Sequence, residues 1–405
     1  MAATTITNVE DAQRTIWETK VLEVAEGMFV AEKFAQTKII GKGAGGTWTV
    51  TKLLRVAPDT SSKSFGALVA GSAAKNLVSN KIEITPELWQ ASFGFDDDVD
   101  IKTFYKDSDY IQTIGQHMAN TLDKELIKTI SVQCMRHRID IDGGTNTESG
   151  PVTNASSTTV FGASGFTTRA DDYWNGGFCT VVNPSGEGYD ETKKISDYDD
   201  AGGVSDREFT TAAFTNALGT TSNIHVVRGD SLAASDKLTS DGLLAVAGLH
   251  RKLETIKFPG GILHGFIDAA QEADLWSDDD FKGNASFDTR QRYSQYRLVR
   301  WLDQELLVSS NIYREDVVGA AADAGVVYVA PIFGVGSYCL IRWGTPGAGS
   351  YGVKFMHVTE PDSGNLTMNE RYISWKTSIG KKVLRSTSII GLMTGATDQN
   401  LLTGV

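Results

Sequence analysis

Only three of the 405 residues are cysteine, and Cys134, Cys179 and Cys339 stand far apart with no C-x-x-C pair. This excludes a disulfide framework and a thiolate zinc site, so buried, reduced thiols are expected. The six histidines, at 117, 137, 225, 250, 264 and 357, show no H-E-x-x-H or other metal spacing. No G-x-S-x-G elbow occurs, so nothing points to a hydrolase nucleophile. Basic residues are the scarcer charge: 38 Lys and Arg against 50 Asp and Glu leave a formal net charge of -12. A dedicated nucleic-acid binder collects cations to displace phosphate counterions, so the balance leaves room only for weak DNA contact through a local patch. No run of 18 apolar residues is present, and MAATTITNVEDAQRT lacks a basic start followed by an apolar core. No membrane association or signal peptide is expected, and the chain reads as one made in the cytoplasm that stays soluble.

What is plentiful is glycine, 41 residues against 8 prolines, alongside 41% hydrophobic and 22% charged residues. That is a well-cored globular chain with many tight turns, long enough for two or three packing units. Four glycines and a lysine fall together in IIGKGAGGTWTV, residues 39–50. A phosphate-binding loop needs its lysine followed by Ser or Thr and then a helix N-terminus. Here Lys42 is followed by Gly43, and Trp48, Val50, Leu54 and Val56 then alternate with Thr47, Thr49, Thr51 and Arg55, which is a strand pattern. The stretch therefore reads as a hinge of Gly41, Gly43, Gly45 and Gly46 feeding a strand.

Before the hinge, Trp17, Val21, Val24 and Met28 fall at helical spacing, which predicts an amphipathic N-terminal arm. After it come the strand at 47–56, about two dozen small residues, and a second alternating strand, NKIEITPELW, with Ile82, Ile84 and Leu88 on one face. This is a hairpin with a very long tip that carries Phe65, Leu68 and Val69. Arms of about ten residues reach about 30 Å, and a two-stranded ribbon alone is marginal in water. It needs a surface to lie on. Next, KDSDYIQTIGQHMANTLDKELIKTISVQCMRHRI places Ile111, Ile114, Met118, Leu122, Leu126 and Ile130 on one stripe, capped by Asp107 or Ser108. The predicted helix, 109–138, would be about 45 Å long. Short strands with N-P-S-G-E-G and D-D-A-G-G turns follow to about residue 222, then interleaved strands and helices as in a compact α/β core, then strands again.

Few residues advertise chemistry. Asp96, Asp97, Asp98 and Asp100 read as a solvated acidic turn in preference to a Ca²⁺ site. Asp140 and Asp142 open like a Ca²⁺ loop, but Thr145 and Pro151 occupy the positions that require Gly and an acid. His117, beside the helix stripe, reads as a packed residue, and Lys376, Lys381, Lys382 and Arg385 as a solvated basic face. No catalytic residue, cofactor or metal is indicated.

The order of parts resembles the major capsid proteins of tailed bacteriophages, whose fold also builds encapsulin shells and the floor of herpesvirus capsids. TKIIGKGAGGTWTVTKLLRV followed by DYIQTIGQHMANTLDKELIKTI is similar to the branch typified by large lytic podophages. The resemblance implies an α+β fold with an N-terminal arm (1–40), an extended hairpin loop (41–92), and a peripheral domain (93–142 and 346–405) with spine helix 109–138. It further implies an axial domain (223–345), and it leaves 143–222 as a β-rich insertion. It implies a non-enzymatic shell protein that forms hexamers and pentamers around double-stranded DNA. Its inter-subunit interface would be made by Trp17, Val21, Trp48, Val50, Phe65, Leu68, Val69, Ile82 and Ile84. Its partners would be its own copies, a separate scaffolding protein, a portal protein and a decoration protein. A separate scaffold is expected because the hairpin begins by residue 47. Lys63 and Lys75 lie in the hairpin tip, but nothing identifies a crosslink acceptor. An encapsulin-like compartment shell and a soluble hydrolase or glycan-binding protein are the alternative readings.

Overall fold

The computed structural model describes residues 29–40, 47–53, 79–96, 107–138, 146–155, 157–163, 165–167, 169–183, 188–200, 207–229, 232, 236–281, 298–315, 327–343, 354–358 and 370–395. Two compact units result: Met1–Thr49, Glu83–Ile127 and Tyr338–Lys382 in the first, and Val50–Ile82, Lys128–Ser337 and Val383–Val405 in the second.

The first unit is organised by a five-stranded sheet. Strands β1 (Gln36–Ile40), β17 (Tyr338–Trp343), β19 (Glu370–Val383) and β18 (Lys354–Val358) lie in that order, and β4 (Glu87–Asp96) also pairs with β19. β1 runs parallel to β17, with Gln36 opposite Cys339 and Ile40 opposite Trp343. The long helix α1 (Asp107–Gln133) buries Ile114, Met118, Leu122 and Leu126 in this unit, the stripe that its three-and-four spacing predicts.

Two sequence expectations change here. The second hairpin strand is not continuous, because Pro86 has no N–H to give a ladder. The chain leaves β3 (Ser79–Ile84) at Thr85–Pro86 and begins β4, which pairs antiparallel with β19. The crossing point packs on Gly380, where an added Cβ would lie 2.9 Å from Ile84 Cγ2 and 3.5 Å from Pro86 Cα. Helix α1 also ends five residues before the predicted 138. At Cys134 the chain turns into β5 (Met135–Arg138), because pairing with β20 (Ile389–Thr394) wins over helical continuation.

The second unit holds a seven-stranded sheet and a closed barrel. The sheet order is β13 (Leu298–Trp301), β14 (Gln304–Val308), β12 (Leu263–Ile267), β16 (Val327–Phe333), β20 and β5, with β15 (Arg314–Glu315) also pairing β16. Every residue of β16 is buried, which is why VYVAPIF is an unbroken apolar run without alternation. Helices α2 (Ser240–Lys252) and α3 (Ala269–Ser277) cover one face through Leu243, Val246 and Leu275. α2 is capped by Thr239 and α3 by a reciprocal Asp268–Gln271 capping box. β20 thus belongs with the α/β sheet, and β17 with the sheet of the first unit, so the expected boundaries at 345 and 346 divide differently in space.

The barrel closes in the order β10 (Arg207–Thr211), β7 (Val160–Ala163), β6 (Thr147–Ala155), β11 (Asn223–Val227), β8 (Phe178–Val181) and β9 (Thr192–Asp200). Phe161, Phe166, Trp174, Tyr198 and Phe209 fill it. Closure needs β11, so the expected insertion boundary at residue 222 cuts into the barrel. Strands β2 (Trp48–Leu53) and β3 form a separate two-stranded sheet.

Candidate assembly interface

Two features bear on assembly: the segment beginning at Phe29, and the β2–β3 ribbon, whose faces apart from Ile84 are half-buried to exposed. The entering segment is bolted down. Phe29, Val30 and Ala31 are buried, the Ala31 N–H donates to Asp123 Oδ1 at 2.8 Å, and the Tyr338 hydroxyl donates to the Ala31 carbonyl at 2.6 Å. The Arg342 guanidinium donates to Glu32 Oε2 and lies 5.2 Å from the Phe29 ring centroid. Asp123 is 3% exposed, and burial pushes its carboxyl up to about 6 against the opposing pull of the Ala31 and Val30 N–H groups. The Tyr338 phenol is pushed well above its ordinary value, chiefly by burial. A pocket of about 20 Å³ beside this latch, lined by Phe29, Leu122 and Arg342 among others, holds room for about one water and no substrate.

The ribbon behaves as its alternation predicts. Trp48, Val50 and Ile82 are half-buried while Thr47, Thr49, Thr51, Lys81 and Glu83 are exposed. Lys38 Nζ sits 4.4 Å from the Trp48 ring centroid. One expected interface residue falls out: Ile84 is 2% exposed, spent on the Gly380 crossing within this chain and not offered to a neighbour. Leu88, placed with Ile82 and Ile84 by parity, lies beyond Pro86 and is 64% exposed, opposite Ser378. Ile39 on β1 is also exposed. A proline inside an alternating run was the signal that the parity could not carry through. Trp17, Val21, Phe65, Leu68, Val69 and the hinge glycines Gly41, Gly43, Gly45 and Gly46 lie outside the described residues, as do Asp97, Asp98, Asp100, Asp140 and Asp142.

Two members of the basic run, Lys381 and Lys382, are engaged within the unit. Lys381 Nζ is 2.8 Å from Glu125 Oε2 and 4.6 Å from the Trp89 ring centroid, and Lys382 donates to the Glu83 carbonyl at 3.0 Å. These lysines fasten β19 to α1 and to the base of the ribbon. His117 packs edge-on to Phe93, with ring centroids 5.0 Å apart. His225 and His250 are buried, and burial lowers both to about 4. Cys134, Cys179 and Cys339 are buried thiols. Among the described residues no group of three or more His, Cys, Asp or Glu side chains is placed to hold a metal, and no helix is long and apolar enough to cross a membrane.

No family model and no curated protein matches the sequence. Solved structures do match. A chain in the capsid of Ralstonia phage GP4 is similar over 93% of this chain and 91% of its own, with a TM-score of 0.53 at 15% identity. A chain in the capsid of the cyanophage P-SCSP1u is similar over 90% of this chain and 87% of its own, with a TM-score of 0.48 at 11% identity. The chain has the α+β fold of the GP4 capsid chain.

Proposed function

We propose that this chain is the major capsid protein of a tailed bacteriophage, a non-enzymatic subunit that assembles with its own copies into hexamers and pentamers of an icosahedral shell around double-stranded DNA. The observation that supports the reading is the likeness of fold to a phage capsid chain over more than nine-tenths of both chains. The site supports it: the chain's own body leaves Leu88 exposed and the ribbon face only half-covered. Identical neighbours supply the missing cover. If arm and ribbon bury about 1,000 Å² of apolar area per subunit, the gross gain is about 25 kcal/mol, most of it offset by ordering entropy. Repetition around a closed shell turns a small surplus per contact into a large one.

The net charge of -12 suits an inner wall that touches packaged DNA only weakly and non-specifically. A separate scaffolding protein guides assembly in the host cytoplasm, a portal replaces one vertex, and a decoration protein is a further partner. Gly41, Gly43, Gly45 and Gly46 set the angle at which the ribbon leaves the body. Trp17, Val21, Trp48, Val50, Phe65, Leu68, Val69 and Ile82 form the contact, with Leu88 joining it in place of Ile84. Expression with and without a scaffolding protein from the same gene cluster, followed by electron microscopy, tests the reading. Closed, uniform shells are expected; a monodisperse small species under both conditions overturns it.

A further inference from the structure

Within the second unit the barrel meets the seven-stranded sheet along one wall, and the polar groups there suit a single protonation state. His225 and Val227 share one face of β11 by strand alternation. Val227 packs with Val327 and Val329 of β16 and with Met393 of β20. On the neighbouring β8, the Phe178 ring centroid lies 4.3 Å from Arg136 Cζ of β5. His225 is 6% exposed on this wall, and both of its ring nitrogens are engaged. Nε2 lies 3.2 Å from the Arg136 carbonyl, which can only accept, so Nε2 carries a proton. Nδ1 lies 2.8 Å from the hydroxyl of Ser149, the residue directly opposite on β6, and accepts from it. A neutral imidazole is thus fully satisfied. A second proton, on Nδ1, would force the Ser149 hydroxyl from donor to acceptor and leave a full charge in the wall.

The surroundings oppose that charge. The His137 ring of β5 is 6.5 Å away, centroid to centroid, and its Nδ1 is buried without a hydrogen-bond partner. Lys252, the last residue of α2, adds positive charge, and β5 also carries the buried Arg136 and Arg138. The acids are committed elsewhere. Glu315 is held by Arg136 at 2.8 Å, and Glu148 by Arg169 at 3.3 Å, on the side of β6 away from Ser149. Burial, and then His137, lower His225 from an ordinary 6.5 to about 4. A base lowered by folding contributes stability that is present above about pH 6.5 and is lost as pH falls toward 4. We infer that this wall is an acid-operated seam, in which a proton on His225 parts the barrel from β5 while barrel and sheet each stay folded. The barrel keeps its own ladder of β6, β11 and β8, and the sheet keeps β5 on β20. Asp190 of the barrel still accepts from the Thr387 N–H at 3.1 Å, a tie that contains no histidine. The 143–222 region thereby gains a movable attachment. The seam belongs to the single chain and holds whether or not shells form.

Opening that brings His225 into water at an ordinary 6.5, against about 4 when closed, multiplies the opened fraction about 60-fold between pH 7 and pH 4.5. Hydroxyl-radical footprinting of the full-length chain at these two pH values reads the change through side chains. Met393 and Phe178, both buried, lie in the seam, while Phe209 in the barrel core and Phe266 in the sheet are controls. Met393 and Phe178 should be labelled at least about tenfold faster at pH 4.5, with Phe209 and Phe266 unchanged. His225→Gln, whose amide N–H stands in for Nε2–H, and His225→Asn, whose oxygen stands in for Nδ1, stay neutral, and each should abolish the rise. Equal labelling of the seam at both pH values, a rise shared by all four residues, or a rise that persists in a folded neutral variant overturns the seam.

Discussion

Protonation of Asp123 should tighten the latch that holds the entering segment. The carboxyl is 3% exposed, and burial raises it from an ordinary 3.8 to about 6. A carboxyl whose folded value exceeds its unfolded value binds more protons when folded, so its contribution to stability is present below about pH 4 and is lost as pH rises through 6. The size is about 3 kcal/mol, from two pH units at about 1.4 kcal/mol each. The charge stays tolerable above pH 6 because it accepts the Ala31 N–H at 2.8 Å and the Val30 N–H. Global melting is the wrong readout, because the buried His225 and His250, lowered to about 4, lose stability as pH falls through 6.5 toward 4. The assay is local: hydrogen exchange at the Val30 and Ala31 amides of the unassembled subunit from pH 4.5 to 8, corrected for the intrinsic rate. Wild type should gain protection as pH falls. Asp123→Asn keeps an acceptor, carries no charge, and should flatten the profile. An identical pH slope in the variant, or protection that falls on acidification in wild type, refutes the reasoning.

Three further outcomes follow from packing. Gly391→Ala places a Cβ 2.4 Å from Cys134 Sγ and 3.1 Å from Val329 Cγ1, where β20 meets β5. It should cost about 1–3 kcal/mol in denaturant unfolding, and Cys134→Ala should recover part of that. The fully buried Arg136 guanidinium donates to Glu315 Oε1 at 2.8 Å and lies 4.3 Å from the Phe178 ring centroid. Glu315→Ala strands that charge and should cost about 3–5 kcal/mol, whereas Arg136→Met with Glu315→Gln should cost far less in the same titration. Leu88→Asp changes a residue that is 64% exposed, so subunit stability should move by no more than about 0.5 kcal/mol. Shell yield by sedimentation should nonetheless fall sharply; unchanged yield removes Leu88 from the interface.

Periodicity carried the parts that depend on local pattern. Ile114, Met118, Leu122, Leu126 and Ile130 were readable as one buried stripe, and Trp48, Val50 and Ile82 as one ribbon face, because both patterns are set by backbone geometry alone. What escaped depends on partners distant in sequence. Residues 135–138 become a strand only because β20 lies alongside, and Gln36–Ile40, with four exposed residues and one buried, shows no alternation for its pairing with β17 to be read from. The Asp123 latch joins residues 92 apart, and no local motif marks it. Pro86 is the instructive case: the residue that breaks the strand was visible, and its consequence for Ile84 and Leu88 follows from the lost donor.

Hydrogen exchange of the ribbon, Trp48–Leu53 and Ser79–Ile84, compared between free subunits and closed shells, tests the central claim most directly. A two-stranded sheet alone is marginal in water. The account predicts fast exchange in the free subunit and at least hundredfold slower exchange once neighbours cover the ribbon. Equal, strong protection in a lone subunit that never assembles would contradict it.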